Sequence, residues 1–180
     1  KEEKALVDSM EIKKYKKGDM LALEGERNDS TFFVLEGLIR QYKIVDGDDI
    51  TTNFYSDEQW VMSLPDASGN NASDVNLICM EDTFVVLGDE KKAMALFKEF
   101  PQFETISRQV VESSFLEQQK VMATYITDKP EQRYLKLVET RPYIIQKVPQ
   151  YDIATYIGVK PESLSRIRKK LLNKKIAKLL

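Results

Sequence analysis

The sequence predicts an α+β protein, an N-terminal β unit followed by a long helix and a helical tail, and three observations carry that prediction. Residues 14–87 hold short apolar or alternating runs, punctuated by turn residues every 8 to 12 positions or so, which is the texture of a β-sandwich or barrel-like unit. After Pro101 no Gly or Pro occurs until Pro130, a stretch long enough for one extended helix. Residues 150–169 then combine a small residue, a glycine and paired apolar positions at the spacing of two short helices packed at a tight turn.

The elements follow in order. Residues 2–10, EEKALVDSM, suggest a short helix, with Ala5, Leu6 and Met10 on one apolar face. The predicted strands are Met20–Leu23, Thr31–Leu35, Leu38–Ile44, Ile50–Tyr55, Val75–Cys79 and Thr83–Leu87. Turns are expected at Lys17-Gly18-Asp19, Glu24-Gly25-Glu26, Glu36-Gly37 and Asp46-Gly47-Asp48-Asp49, with a polar loop from Pro65 to Asp74. Trp60 reads as a core residue. Asp89 can cap a short helix over Glu90–Phe100, which Pro101 interrupts.

The next helix should run from Pro101 to about Thr127. Phe103, Ile106, Val110, Ser113, Ser114, Glu117, Val121 and Thr124 form one stripe along it, and Val111, Phe115, Gln118, Met122 and Tyr125 an adjacent one. A helix apolar on two faces can pack on its own domain and on a second copy of itself, so a two-fold homodimer is expected. Pro130 disfavours a helical Lys129 and marks Asp128-Lys129-Pro130 as a hinge. Glu131–Thr140 suggests a helix with Tyr134, Leu135 and Val138 inward, stopped by Pro142.

The segment QYDIATYIGVKPESLSRIRKK fits a helix-turn-helix for steric reasons. Ile153 and Ile157 should face Leu164 and Ile167, and Ala154 is small where two helices must approach. Gly158 supplies a left-handed turn, Val159 is expected to bury beneath it, and Pro161 fixes φ in the first turn of the second helix. Glu162, Ser163, Arg166, Lys169 and Lys170 then project outward, giving base-edge partners near the helix N-terminus and positive charge beyond. After Leu172, NKKIAKLL offers at most the first strand of a wing, the second being absent from this sequence.

Composition excludes several chemistries. There is no histidine, which removes Ser-His-Asp and Cys-His catalysis and His-ligated metal or haem. Cys79 is the one cysteine, so the chain cannot build an internal disulfide, a four-cysteine zinc site or an iron–sulfur cluster. Cys79 reads as a buried structural thiol in a strand. No catalytic constellation or resident cofactor is expected, and no enzyme. No run reaches the roughly 18 apolar residues of a membrane span, and no signal peptide opens the chain, so a cytoplasmic address is expected.

The net charge of -2 argues superficially against nucleic acid, but it conceals a split. Residues 1–127 carry 14 Lys and Arg against 24 Asp and Glu, and residues 128–180 carry 13 against 5. The net charges are therefore -10 and +8, which points to a polyanion partner for the C-terminal segment alone.

With these motifs in view, the sequence resembles the Crp/Fnr family of bacterial transcription regulators over nearly its full length. Gly18, Gly25 and Gly37 in KKGDMLALEGERNDSTFFVLEGLIRQY resemble that family's β-roll turns, and VPQYDIATYIGVKPESLSRIRKKL resembles its DNA-binding motif. The resemblance implies a jelly-roll-like β-roll of the cyclic-nucleotide type over 1–100, a dimerisation helix over 101–127, and a winged helix-turn-helix over 128–180 with an incomplete wing. It implies base contacts by Glu162, Ser163 and Arg166, and phosphate contacts by Lys160, Ser165, Lys169 and Lys170. Pro161 stands where the family often has a base-contacting arginine. Ile106, Val110, Ser114, Glu117 and Val121 would form the dimer seam.

The effector site departs from the family pattern. Nucleotide-binding members carry Gly-Glu-Leu followed by Arg-Ser/Thr-Ala, a carboxylate for the ribose hydroxyl and an arginine for the cyclic phosphate. Here Val61 and Met62 stand where Gly-Glu is expected, and no arginine lies between Arg40 and Arg108. Glu117 and Gln118 replace the family's Thr/Ser pair. Cyclic AMP and cyclic GMP are therefore not expected to bind tightly, and an unknown small-molecule effector would meet Val61, Met62, Ser73, Glu117 and Gln118. The expected partners are double-stranded DNA, a second copy of the chain and, as a further candidate, RNA polymerase. The alternative is a ligand- or protein-binding module of the same type that does not touch DNA.

Overall fold

A computed structural model describes residues 2–28, 30–61 and 72–177. The chain divides into two compact units, Lys1–Lys43 with Asn53–Gln118, and Ile44–Thr52 with Gln119–Leu180.

Helix α1 (Glu2–Ser9) precedes eight strands: β1 (Glu11–Tyr15), β2 (Met20–Ala22), β3 (Thr31–Glu36), β4 (Ile39–Val45), β5 (Asp48–Tyr55), β6 (Trp60–Val61), β7 (Asn76–Cys79) and β8 (Thr83–Gly88). They form two four-stranded sheets, ordered β1-β8-β3-β6 and β2-β7-β4-β5. The register of β8 is fixed on both sides, Glu11 opposite Leu87 on β1 and Phe32 opposite Leu87 on β3. Alternation explains the core: Phe32 and Val34 point inward from β3, and Ala22, Ile39, Tyr55, Val61, Val75, Leu77, Cys79 and Val85 complete one buried cluster. Each of the larger aliphatic or Phe side chains among them contributes about 1.5–3 kcal/mol by leaving water.

Gly37 is the turn residue that no other can replace. Its φ is +123°, and an added Cβ would lie 2.8 Å from the Thr83 Cα. Backbone strain and backbone collision coincide there.

Two strands lie outside the sequence expectation. β1, EIKKY, is four-fifths exposed edge, so its two apolar residues give almost no pattern. β6 is two residues long, and half-buried Trp60 packs there on Phe33 with ring centroids 5.1 Å apart.

The helices follow: α2 (Glu90–Glu99), α3 (Gln102–Thr127), α4 (Pro130–Thr140), α5 (Pro142–Lys147), α6 (Gln150–Tyr156) and α7 (Pro161–Ala177). Asp89 caps α2 as expected, accepting from the Lys91 and Lys92 amides at 2.8 and 3.1 Å, and those bonds hold its carboxyl below the usual carboxylate range. Extended Lys129 (φ -68°, ψ 153°) breaks the chain between α3 and α4 where Pro130 demands it.

Three expectations need correction. Pro142 ends one helix but also begins α5, because proline suits a first helical turn. Leu137 is buried with Tyr134 on α4, whereas Leu135 and Val138 are half-buried. Asn173–Ala177 continue α7 and form no wing strand, since nothing in NKKIA interrupts the helical period; residues 178–180 lie outside the described residues.

Candidate nucleic-acid interface

The two helices α6 and α7 sit on a small core of their own. Ile153, Ala154, Ile157 and Leu164 are all at most 2% exposed, and Tyr134 and Leu137 of α4, Ile144 of α5 and Val148 just after it are buried as well. Ile167 and Val159 are half-buried, so the turn covers Val159 less fully than its sequence suggests. Gly158 takes φ +75°, and the turn closes by Ile157 N–H to Ile153 O at 3.0 Å and Val159 N–H to Ala154 O at 2.9 Å. Past the turn, the Lys160 carbonyl accepts from Ser163 and Leu164 amides at 3.0 and 3.1 Å, starting α7 with Pro161 in its first turn.

This packing turns the polar face of α7 outward. Glu162, Ser165, Arg166, Lys169 and Lys170 are exposed on it, Lys160 is exposed at its start, and Ser163 is half-buried. Positions 162, 166, 169 and 170 share one helical face. Arg166 Nη2 donates to Ser163 Oγ at 3.3 Å, so these two side chains lie against each other. Lys170 Nζ lies 2.6 Å from Glu131 Oε2, an ion pair that reaches from α7 back to α4. Arg168, which the sequence reading passed over, is also exposed and lines a cavity of about 250 Å³ with Tyr134, Ile145, Val148, Gln150, Ile153 and Leu164.

A second cluster sits behind the turn. The Tyr125 hydroxyl donates to the Tyr156 carbonyl, and Arg133 Nε donates to the next carbonyl, Ile157 O, at 2.9 Å. Arg133 Nη1 donates to Asp128 O at 2.6 Å, and the guanidinium lies 5.0 Å from the Tyr125 ring centroid. Lys136 pairs with Asp128 at 2.6 Å, and its hydrogen bond, with those of Thr127 and the charge of Arg133, keeps the Asp128 carboxyl below the ordinary range. Also within this unit, the Thr51 amide donates to Thr155 Oγ1 at 3.2 Å, and the two hydroxyls lie 3.0 Å apart. In the sequence, these contacts show only as an arginine near the start of a helix that follows a hinge.

The effector candidates are not presented as a binding face. Val61 is fully buried in the β core, opposite Phe32. Ser73 is 2% exposed and its hydroxyl donates to Val75 O at 2.7 Å, while its backbone pairs with Gly25 and Glu26. Glu117 and Gln118 are exposed on α3, and Met62 lies outside the described residues. Cys79 is buried as expected, and burial pushes its thiol up to about 11.

The long helix has no buried residue at all. Ile106 and Val121 are 51% and 38% exposed, Val110 and Ser114 half-buried, and Phe115, Met122 and Ile126 expose 60%, 63% and 88%. An apolar surface of that extent is unusual for a helix in contact with water alone.

Comparison with known proteins bears on fold. Residues 12–100 match the family described as the cyclic nucleotide-binding domain. Among solved structures, FixK2 from Bradyrhizobium japonicum is 17% identical with a TM-score of 0.74, over 93% of this chain and 86% of that one. The c-di-GMP responsive global regulator CLP of Xanthomonas campestris is 14% identical with a TM-score of 0.74, over 97% and 92%. A cyclic nucleotide-binding domain containing protein from Listeria monocytogenes EGD-e is 15% identical with a TM-score of 0.69, over 93% and 84%. No curated protein matches the sequence.

Proposed function

We propose, for a chain whose residues 12–100 match the cyclic nucleotide-binding domain and whose fold is that of the Crp/Fnr regulators, that it is a sequence-specific DNA-binding transcription regulator. The observation that carries this reading is the outward face of α7, where Arg166, Lys169 and Lys170 stand beside Glu162 on a helix held by Leu164 and Ile153. A helix enters the major groove with such a face, its N-terminal residues against base edges and its cations against phosphates. Glu162, Ser163 and Arg166 take the base contacts, and Lys160, Ser165, Lys169 and Lys170 the phosphates. The chain catalyses no reaction and works in the cytoplasm.

Two copies associate along residues 101–127, where α3 leaves its apolar residues uncovered. Their recognition helices then meet successive major grooves about 34 Å apart, so the operator is a near-palindrome. The segment 1–100 acts as sensor and 128–180 as DNA-binding domain. The sensor's ligand is not cyclic AMP: buried Val61 has no polar group for a ribose, and Ser73 is engaged by its own loop.

A salt titration of duplex binding tests the proposal. The logarithm of affinity should fall linearly with the logarithm of salt, by about 0.9 for each phosphate neutralised. Affinity for duplex that is absent at low salt, or independent of salt, would overturn it.

A further inference from the structure

We infer that Tyr125 and Arg133 are positioning residues for the DNA interface: together they lock the helix-turn-helix to the last turn of α3 by capping the C-terminal end of α6. The inference rests on the DNA-binding reading above, and it starts from a mechanical problem. Between α3 and α4 stand only Asp128 and Lys129, with Lys129 extended. Two non-helical residues leave the angle between flanking helices soft unless side chains cross-link them.

The cross-link is present. Helix α6 ends at Tyr156, and Gly158 turns left-handed immediately after Ile157, so the carbonyls of Tyr156 and Ile157 point out of the helix end. Two donors from two other segments take them, the Tyr125 hydroxyl from α3 and Arg133 Nε from α4. The same guanidinium donates through Nη1 to the carbonyl of Asp128, at the hinge itself, and lies over the face of the Tyr125 ring. One arginine thus joins the end of α3, the hinge, α4 and the end of α6. A Cβ on Gly158 would sit 3.4 Å from Arg133 Nη2 and 3.9 Å from Tyr125 Cε1, so the turn rests directly on the pair.

Tyr125 is 41% exposed as a residue, but partial desolvation around its hydroxyl, with the neighbouring Tyr156, holds that group above its usual range, so it stays protonated as a donor. Arginine is the residue suited to the other role, since a planar fork can serve two carbonyls at fixed directions and lysine cannot. A helix end needs only one donor per carbonyl, and water supplies that at an exposed end. Donors from two segments on consecutive carbonyls go further and define an angle. In a homodimer, that angle sets the separation and tilt of the two recognition helices.

The test uses the full-length chain and duplexes that it selects from a randomised pool. Affinity is measured for operators whose half-site separation is varied base pair by base pair, and for a single half-site. The wild type should favour one separation. Tyr125→Phe keeps the ring and loses one hydrogen bond, and should weaken that preference about fivefold. Arg133→Lys keeps the charge and loses the fork, and should weaken it about tenfold. Single half-site affinity should stay within about twofold of wild type in both, because α7 and its core are untouched. Without DNA, amide exchange over residues 126–132 should quicken about fivefold in Tyr125→Phe while Leu164 is unchanged. An unaltered separation profile with unaltered exchange overturns the inference, and so does half-site affinity that falls in step with the preference. A wild type that binds no duplex overturns the DNA reading and the positioning role with it, and the exchange data then decide separately whether the pair holds the hinge.

Discussion

The residues marked for ligand contact within the β-sheets and their loops fare oppositely to those marked on α7. In the β unit, Val61 and Ser73 are both at most 2% exposed, one in the core and one hydrogen-bonded to its own loop. In the helical unit, Glu162, Arg166, Lys169 and Lys170 are all exposed on one face. The net charges of -10 for residues 1–127 and +8 for residues 128–180 run the same way. A side chain serves a partner only if the fold leaves it outside, so a motif position counts for function after its burial is known. By that measure, the C-terminal unit carries the stronger assignment.

The contrast implies that the two units are held by separate cores, and the largest expected effect tests this. Leu164 is fully buried between α6 and α7, so Leu164→Ala should cost about 2–5 kcal/mol, the transfer and cavity terms together. The loss should fall on the helical unit and abolish DNA binding, leaving the unfolding of the β unit in place by calorimetry. A single cooperative transition shifted as a whole would show that the cores are not independent.

Next in size is the closed interior of the β unit, probed through Cys79. With its thiol at about 11 against a reference of 9.0, the thiolate fraction in the folded state is lower by about a hundredfold. A disulfide reagent at pH 8 should react correspondingly slowly until denaturant is added. The sign for stability follows: the folded state holds this proton more tightly than the unfolded one. The thiol's contribution is therefore fully present below pH 9 and is lost as pH rises towards 11. Fast labelling of the native protein would mean that the core opens readily and that the contrast between the units is overstated.

The units also differ in how far the sequence revealed them. Strands β3, β4, β5, β7 and β8 were legible because each is a short apolar or alternating run bounded by turn residues; β3 alternates buried and half-buried positions, whereas β7 and β8 have no exposed position at all. β1 and β6 were not: one is an almost wholly exposed edge with no buried period, the other only two residues. The helix-turn-helix was legible through Ala154, Gly158, Leu164 and Pro161, since steric demands at a tight turn restrict residue type. The continuation of α7 through Asn173–Ala177 was missed because a cationic run with one isoleucine suits an exposed helix or an edge strand equally. The Tyr125–Arg133 pair was illegible for a different reason. Tyr125 fits an apolar helical stripe, and only three dimensions show its hydroxyl on the end of α6.

Within the helical unit, base reading and phosphate binding should separate. Arg166→Ala should cost about 1–3 kcal/mol on the best operator and flatten the preference among sequences. Lys169→Ala should weaken all duplexes alike and reduce the salt slope by about one. Competition binding with a cognate and a scrambled duplex distinguishes them. An Arg166→Ala loss equal on both duplexes would remove that residue from base readout.

The smallest expected effect concerns Lys170, a cation of the exposed face whose ion pair crosses to another helix. Its partner Glu131 is on α4, 2.6 Å away, and the two side chains are 58% and 23% exposed. An ion pair so open to water is worth at most about 1 kcal/mol, and salt screens it further. On the proposed reading, DNA would compete with Glu131 for this lysine, and a pair this weak leaves room for a phosphate to win. Glu131→Gln removes the competitor and a negative charge beside the groove-facing helix. Affinity should rise by up to about fivefold, and the salt slope should steepen by about one as Lys170 becomes free to neutralise a phosphate. If affinity falls instead, Glu131 orients Lys170 towards the backbone rather than withholding it, and the pair belongs to the positioning apparatus with Tyr125 and Arg133. If neither affinity nor slope moves, Lys170 lies off the DNA, and the docked face of α7 ends at Lys169.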